Sequence, residues 1–170
     1  ELVEAVAGTQ RMAERAFGDG TVFLEKLIES ARHIEVQVFG FGNGEAVHLF
    51  ERDCSIQRRY QKVLEESPAP NVPQDVLAHM ANAAVNLARL CRYDGAGTVE
   101  FLYDDKSQSY FFLEMNTRIQ VEHPVTEAIT GVDLVKAQIR HALGENVEGE
   151  LTQQSIRRNG HAIEARLYAE

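Results

Sequence analysis

The chain has 170 residues, of which 44% are hydrophobic, and a formal net charge of −9. This length suits one domain or one lobe of a larger domain. Basic residues are dispersed along the acidic chain, which argues against a nucleic-acid groove, and no apolar run approaches the roughly 20 residues that span a membrane. Cys54 and Cys91 match no metal-site spacing. We interpret both as reduced and expect a cytoplasmic location, or the mitochondrial matrix in a eukaryote.

Hydrophobic periodicity predicts the secondary structure along the chain. The predicted elements are a helix at 1–17, strands at 21–28, 33–41 and 46–53, a loop at 54–73, a helix at 75–91, strands at 97–104 and 109–117, a helix at 132–143 and a strand at 161–168. Successive hairpins predict largely antiparallel sheets with packed helices, an α+β fold. Glu1 already lies in a helical pattern and is not an initiator Met, so we expect a piece of a longer protein.

A polar stripe occupies every even position from Glu114 to Glu122, with Asn116, Arg118 and Gln120 between them. An extended chain sends alternate side chains to opposite faces, so these five residues would line one surface. Carboxylate and amide oxygens are metal ligands, whereas an arginine beside an amide suits an anion. The stripe therefore predicts a joint site for a metal and a small anion.

A hairpin supplies an argument for the metal. A turn centred near residue 107 would pair Glu100 with Glu114, with their Cβ atoms about 5 Å apart, and opposed like charges are destabilising. A divalent cation between them would remove the repulsion, and Asn116 could add an oxygen. Oxygen-only ligands suit Mg²⁺ or Mn²⁺, and Mg²⁺ commonly completes its shell with phosphate oxygens, which predicts a nucleotide polyphosphate as partner. Alternatively, both acids are solvated strand residues, or the register slips by one position.

Several residues are candidates for the anion side. Arg118 offers a planar fork for a carboxylate-like or phosphate anion. Glu122 would be a general base for a weakly acidic substrate held there; the alternative is an acid at a helix start. Lys62 and Arg166 are further candidates, although the pattern alone favours a solvated loop lysine and a surface arginine. His33 alone would be interpreted as structural.

Two motifs carry a family resemblance. Residues 51–59 followed by Gln61 and Lys62, and the run at 114–124, resemble the two signatures of biotin carboxylases, which are ATP-grasp enzymes found in acetyl-CoA, propionyl-CoA, methylcrotonyl-CoA, pyruvate and urea carboxylases. The resemblance covers essentially the whole chain and implies an ATP-grasp fold with an incomplete catalytic domain. Residues 1–73 would be part of a lid-type subdomain with its connecting loop. Residues 74–170 would be part of the catalytic sheet.

The resemblance also implies a role for each matching residue. Those that match nucleotide-binding positions are Glu25, Lys26, Ile28, His33 and Gln57. Those that match metal ligands are Glu100, Glu114 and Asn116. Those that match bicarbonate contacts are Lys62, Arg118, Gln120 and the backbone of Val121. Glu122 matches the base that deprotonates bicarbonate, and Arg166 matches the residue that stabilises the biotin enolate.

The implied reaction is ATP-dependent carboxylation of carrier-protein biotin with bicarbonate, through carboxyphosphate and with Mg²⁺ or Mn²⁺. The implied partners are a biotin carboxyl carrier and a carboxyltransferase component, and family members are often dimers. The family's glycine-rich phosphate loop is not in this chain, so we expect weak ATP binding and little or no turnover from it alone. Tyr60 stands where most members have a nucleotide-contacting His. The alternatives are an ATP-grasp ligase with another acceptor, such as a carbamoyl-phosphate-type enzyme, and a non-catalytic nucleotide-binding module.

Overall fold

A computed structural model describes residues 1–167. In chain order its elements are α1 (Leu2–Phe17), β1 (Ala31–Phe41), β2 (Ala46–Arg58), β3 (Gln61–Ser67), α2 (Gln74–Leu90), β4 (Asp94–Asp104), β5 (Ser109–Asn116), α3 (His123–Thr130), α4 (Leu134–Ala142), α5 (Val147–Glu150) and β6 (Ala162–Ala165). The strands form one six-stranded sheet in the order β5-β4-β1-β2-β3-β6, and every neighbouring pair is antiparallel. The sheet takes strands from both sides of the boundary predicted at residue 73. Across residues 1–167, no helix combines the length and apolarity needed to cross a membrane.

The two faces of the sheet are covered differently. Helix α2 packs its apolar stripe, which includes Met80 and Ala84, against Val36 and Val38 of β1. Alternation along β1 turns Phe39 to the opposite face, where it packs in a second apolar cluster with Leu134 of α4. Glu35 and Gln37 are buried on that same face, next to the second cluster. The centre of the sheet is thus apolar on one face and partly polar on the other, and the polar part carries the candidate site.

Much of the predicted secondary structure is confirmed. The α+β class, the antiparallel pairing and the helices predicted at 1–17, 75–91 and 132–143 all agree with the structure to within two residues at each end. Helix α4 begins after Asp133, whose side chain accepts a hydrogen bond from the Lys136 backbone N–H at 2.8 Å. The predicted pairing of Glu100 with Glu114 is also confirmed.

The strand predicted at 21–28 is wrong. This segment has no regular secondary structure, and Phe23, Leu24 and Leu27 are largely exposed. A strand needs a partner for its backbone N–H and C=O groups, and none of the strands within residues 1–167 pairs with this one. Apolar content alone therefore misled the prediction.

The loop predicted at 54–73 is wrong as far as Ser67, whereas 68–73 are irregular as predicted. Strand β2 continues to Arg58, a two-residue turn follows, and β3 occupies Gln61–Ser67. The segment looks like a loop because it is polar, yet Glu65 and Ser67 are buried. Residues 55–61 at the tip of this hairpin are exposed, so its polarity reflects solvent at the tip and a polar interior only at the other end of β3.

The end of the polar stripe differs from the prediction as well. Strand β5 ends at Asn116, so the extended alternation does not continue to Glu122, and α3 begins at His123. Helix α5 was not predicted, and α3 only as the helix start in the alternative for Glu122. The final strand is shorter than expected, and Tyr168, at the end of the predicted strand, lies outside the described residues.

Candidate functional site

A cavity of about 480 Å³ opens on the polar part of the sheet. Most of the residues that the sequence predicts for the site line it. They are His33, Gln57, Lys62, Glu100, Glu114, Asn116, Arg118, Gln120, Val121, Glu122 and Arg166. Tyr60, Gln61 and Leu113 complete the lining. The five polar residues of the stripe therefore line the same cavity even though the strand ends at Asn116, the second of them.

Three predicted nucleotide-binding residues are not part of this lining. Glu25, Lys26 and Ile28 lie in the irregular segment before β1. The Lys26 ammonium instead lies 5.3 Å from the ring centroid of Phe111 on β5. The described residues thus assemble the predicted metal and bicarbonate positions, but not the predicted adenine position.

Glu100 is the centre of the hydrogen-bond network in the cavity. One of its oxygens, Oε1, lies 2.7 Å from Lys62 Nζ and accepts hydrogen bonds from Asn116 Nδ2 at 2.8 Å and Gln120 Nε2 at 2.9 Å. The other, Oε2, lies 2.7 Å from His33 Nε2, although that contact is not aligned as a hydrogen bond. Burial opposes the charge, but His33 and Lys62 outweigh it and hold the pKa of Glu100 well below its usual range. Glu100 is therefore ionised at neutral pH.

The expected metal ligands fit a hard cation with one adjustment. Glu100 and Glu114 are directly opposed, and Glu114 is exposed towards the cavity. Two carboxylates and an amide oxygen are suitable ligands for Mg²⁺ or Mn²⁺. Asn116, however, directs Nδ2 at Glu100 and Oδ1 at Arg118, 3.3 Å away. Its amide would have to turn to offer the oxygen to a metal.

Lys62 compensates part of the charge that a metal was expected to cancel. The repulsion expected between Glu100 and Glu114 is reduced by a cation of the protein itself. Lys62 Nζ is in fact 2.7 Å from Glu100. The metal assignment therefore rests on the available oxygen ligands rather than on a need to cancel charge.

Lys62 contacts three carboxylates. Its ammonium forms a short contact with Glu35 and lies 2.7 Å from both Glu100 and Glu122. Burial lowers the pKa of Lys62, but these neighbours raise it above its usual value, so the lysine is protonated. The interpretation of Lys62 as a solvated loop residue is wrong.

Glu122 lies at the start of a helix, as one of its two sequence interpretations expects. It occupies the N-cap position of α3 but makes no side-chain capping hydrogen bond. Its buried carboxylate contacts Lys62 instead. Burial raises the pKa of Glu122, but the hydrogen bond from Lys62 outweighs it, and the net shift is downward. The group is therefore ionised at neutral pH, the form that accepts a proton.

The remaining predicted residues lie around the cavity wall. The Arg118 guanidinium is exposed and donates hydrogen bonds to Asn116 Oδ1 at 3.3 Å and to the Ile119 carbonyl at 3.2 Å. Arg166 follows β6, and its backbone N–H donates to the Val63 carbonyl at 2.9 Å. Arg166 thus lines the cavity from the sheet edge opposite β5.

Sequence reasoning missed several buried charged residues, three of which interact with residues of the cavity. Glu35 and Arg52 are paired across β1 and β2, and Glu65 lies on β3. Burial and the neighbouring charge of Glu122 raise the pKa of Glu65 to about 7. The sequence signal is a charged residue in a strand that has neighbours on both sides. An unpaired charge is costly there, so such a residue is expected to have a partner. Finding it requires the strand order.

Comparison with known proteins agrees with this geometry. Residues 1–150 match the family model described as "Carbamoyl-phosphate synthase L chain, ATP binding domain". The chain belongs to this family. It is 53% identical over 169 residues to Biotin carboxylase 2 of Bacillus subtilis (strain 168), covering 99% of this chain and 37% of that protein.

Two solved structures are similar over nearly the whole chain. The biotin carboxylase of Campylobacter jejuni, in a beta-gamma-ATP complex, has a TM-score of 0.87 and 45% identity, covering 96% of this chain and 36% of that one. The biotin carboxylase domain dimer of Hydrogenobacter thermophilus 2-oxoglutarate carboxylase, in complex with MgADP, ADP and bicarbonate, has a TM-score of 0.87 and 48% identity, covering 97% of this chain and 36% of that one. The expected ATP-grasp fold and the resemblance to biotin carboxylases are therefore confirmed. The chain spans little more than a third of the length of each of these proteins.

Proposed function

We propose that the full-length protein containing this chain is a biotin carboxylase, which uses ATP and bicarbonate to carboxylate biotin on a carrier domain or protein. The observation that carries this proposal is the grouping in one cavity of three chemical functions. These are a carboxylate pair (Glu100 and Glu114), an anion fork (Arg118) and a buried ionised acid (Glu122). Membership of an ATP-binding family and the similarity to carboxylases support the same reaction.

Each group of the cavity has a task in this reaction. Arg118 and Gln120 would orient bicarbonate, a small anion that gains reactivity from positioning. Glu122 would accept its proton, and Lys62 would keep that acid ionised beforehand. When bound to Glu100, Glu114 and Asn116, Mg²⁺ or Mn²⁺ would stabilise the charge of the transferring phosphoryl group. Arg166 would offset negative charge on the ureido oxygen of biotin.

The proposed partners follow from this chemistry. They are a biotin carboxyl carrier and a carboxyltransferase component, with a homodimer supported by the dimeric Hydrogenobacter thermophilus domain. The final carboxyl acceptor is chosen by the carboxyltransferase. A cytoplasmic or mitochondrial-matrix location belongs to the same proposal, and cell fractionation with an antibody to the chain tests it.

The test is ATP hydrolysis by the full-length protein with bicarbonate and free biotin. We expect hydrolysis to require both, and Glu122→Gln to lower it by at least about 100-fold because the proton acceptor is lost. Binding of MgATP to that variant should be unchanged. Full activity of Glu122→Gln would rule out the assigned base. Hydrolysis that depends on bicarbonate and ammonia, and ignores biotin, would favour a carbamoyl-phosphate-type enzyme instead.

A further inference from the structure

Arg52 is fully buried on β2, at the back of the candidate site. Its Nε donates to Glu35 at 2.8 Å, and its terminal nitrogens donate to four more side chains. These are Gln37 at 2.7 Å, Thr126 at 2.9 Å, Gln120 at 3.2 Å and Thr98 at 3.3 Å. A guanidinium has five N–H donors, so every donor of Arg52 has its own partner.

These partners come from different parts of the fold. Glu35 and Gln37 lie on β1 and Thr98 on β4, whereas Gln120 lies between β5 and α3 and Thr126 lies on α3. Arg52 therefore fastens the segment after β5 and the first turns of α3 to the centre of the sheet. Hydrophobic residues can often replace a buried ion pair without loss of stability, so stability alone does not explain why an arginine occupies this position.

The contact with Gln120 fixes the orientation of an amide. Gln120 Oε1 accepts from Arg52, so Nε2 is directed to Glu100, 2.9 Å away. The two ends of an amide differ in hydrogen-bonding character. With Arg52 in place, the amide therefore presents its N–H₂ group, an anion donor, on the cavity side.

The contacts with Thr126 and Glu35 fix the acid and the lysine. Thr126 is buried one turn after Glu122, the N-cap of α3, so anchoring it sets where α3 begins. Glu35 accepts from Arg52 through Oε1 and from Lys62 through Oε2. Arg52 therefore helps to position both members of the Lys62–Glu122 pair, Lys62 through Glu35 and Glu122 through Thr126.

We propose that Arg52 is a positioning residue for bicarbonate: it sets the Gln120 amide and the start of α3 without touching the substrate. Arg52 is not among the residues that line the cavity. The inference rests on the proposed function, because it takes Gln120 and Glu122 as the residues that meet bicarbonate. The affinity for bicarbonate then depends on Arg52, a positively charged residue that does not line the cavity.

The experiment measures the KM for bicarbonate and the KM for MgATP in biotin-dependent ATP hydrolysis by the full-length protein. Arg52→Lys keeps the charge but loses the fork, and Thr126→Val removes one contact with nearly the same volume. We expect the bicarbonate KM to rise by at least about fivefold in each, because a buried polar group loses its partner. The MgATP KM should stay within about twofold.

Thr130→Val is the matched control. Thr130 lies on the same helix and its hydroxyl donates to the Thr126 carbonyl at 2.8 Å, without contacting Arg52. We expect both KM values to be unchanged. If Arg52→Lys fails to fold, Thr126→Val decides the question.

Two results would overturn the inference while the proposed function stands. One is a wild-type protein with bicarbonate-dependent activity whose Thr126→Val and Arg52→Lys variants lose only thermal stability or kcat. The other is an equal rise of both KM values, which would indicate general disruption. A wild-type protein without any bicarbonate-dependent hydrolysis would instead refute the proposed function itself.

Discussion

At the residue scale, the candidate site is a compact set of mutually compensating charges. Lys62 and Arg52 offset two of the three negative charges of Glu35, Glu100 and Glu122, and all five residues are buried or nearly so. Removing one partner from such a set leaves an uncompensated buried charge, which typically costs about 3–5 kcal/mol. Substitutions in this cluster must therefore be judged by folding as well as by activity.

Glu65 should make stability depend on pH. Its pKa is raised to about 7 from the ordinary 4.5, so the native state binds this proton more tightly than the unfolded chain does. Stability contributed by the protonated acid is therefore lost as pH rises from about 4.5 through 7. We expect Glu65→Gln to raise the midpoint of thermal unfolding at pH 8 and to change it less at pH 5.

Glu66→Gln is the control for this measurement. Glu66 is the next residue on β3 and contacts His161 Nε2 at 2.7 Å. Glu66→Gln removes the contact with His161 but no buried carboxylate. We therefore expect no rise in the midpoint of thermal unfolding at pH 8. A Glu65→Gln variant that is less stable than wild type at pH 8, or equally stabilised at both pH values, would contradict the assignment.

The metal assignment is tested by binding rather than by turnover. Glu100→Gln/Glu114→Gln removes both carboxylates, and we expect the affinity for Mn²⁺ to fall by at least about tenfold, since even supporting residues of metal sites have effects of that size. Glu4→Gln/Glu14→Gln on α1 removes the same charge away from the cavity and should leave the affinity unchanged. Equal Mn²⁺ binding by both double variants would exclude the hairpin as the site.

At the element scale, the pairing of Glu100 with Glu114 was predicted correctly, but the predicted register does not hold along the whole hairpin. Nearer the turn the register differs by one residue, since Asp104 pairs with Ser109 and Phe101 with Phe112. A β-bulge between these pairs and Glu114 restores the predicted partner. At that bulge, the side chains of β5 exchange the faces of the sheet to which they point. Hydrophobic periodicity alone does not reveal such an exchange.

Other features were missed because they depend on tertiary contacts. The β2–β3 hairpin resembles a loop because it is polar throughout: residues 55–61 at its tip are exposed to solvent, and Lys62 faces the polar cavity. Helix α3 has only eight residues, too few for a clear periodic signal. By contrast, α2 was readily predicted because one side of a longer helix is buried against an apolar sheet face.

Substitutions in the turn between β2 and β3 should increase the stability of the protein. Arg59 and Tyr60 have φ angles of 52° and 64°, and two-residue hairpin turns with positive φ at both positions favour Asn-Gly. We expect Arg59→Asn/Tyr60→Gly to stabilise the protein by about 1 kcal/mol in denaturant unfolding. Gln61→Gly, in the adjoining strand, should be destabilising because it only adds backbone freedom. Loss of stability in the turn variant would contradict the strain argument.

At the scale of the whole molecule, the described residues contain only part of the proposed site. The residues that match the adenine position do not line the cavity, and the chain spans a fraction of the length of its relatives. We expect the isolated chain to bind MgATP at least about tenfold more weakly than the full-length protein in calorimetry, since a share of the contacts is missing. Equal affinities would show that the described residues suffice for nucleotide binding.

The strand order has a mechanical consequence. Glu114 belongs to β5 and Arg166 follows β6, the two edges of the sheet, yet both line one cavity. Neighbouring strands lie about 4.8 Å apart, so a flat sheet of six strands would hold those edges about 24 Å from each other. The sheet must therefore curl into a trough. A ligand that contacts both edges would favour the curled sheet. Its binding free energy would therefore depend on the curvature of the backbone.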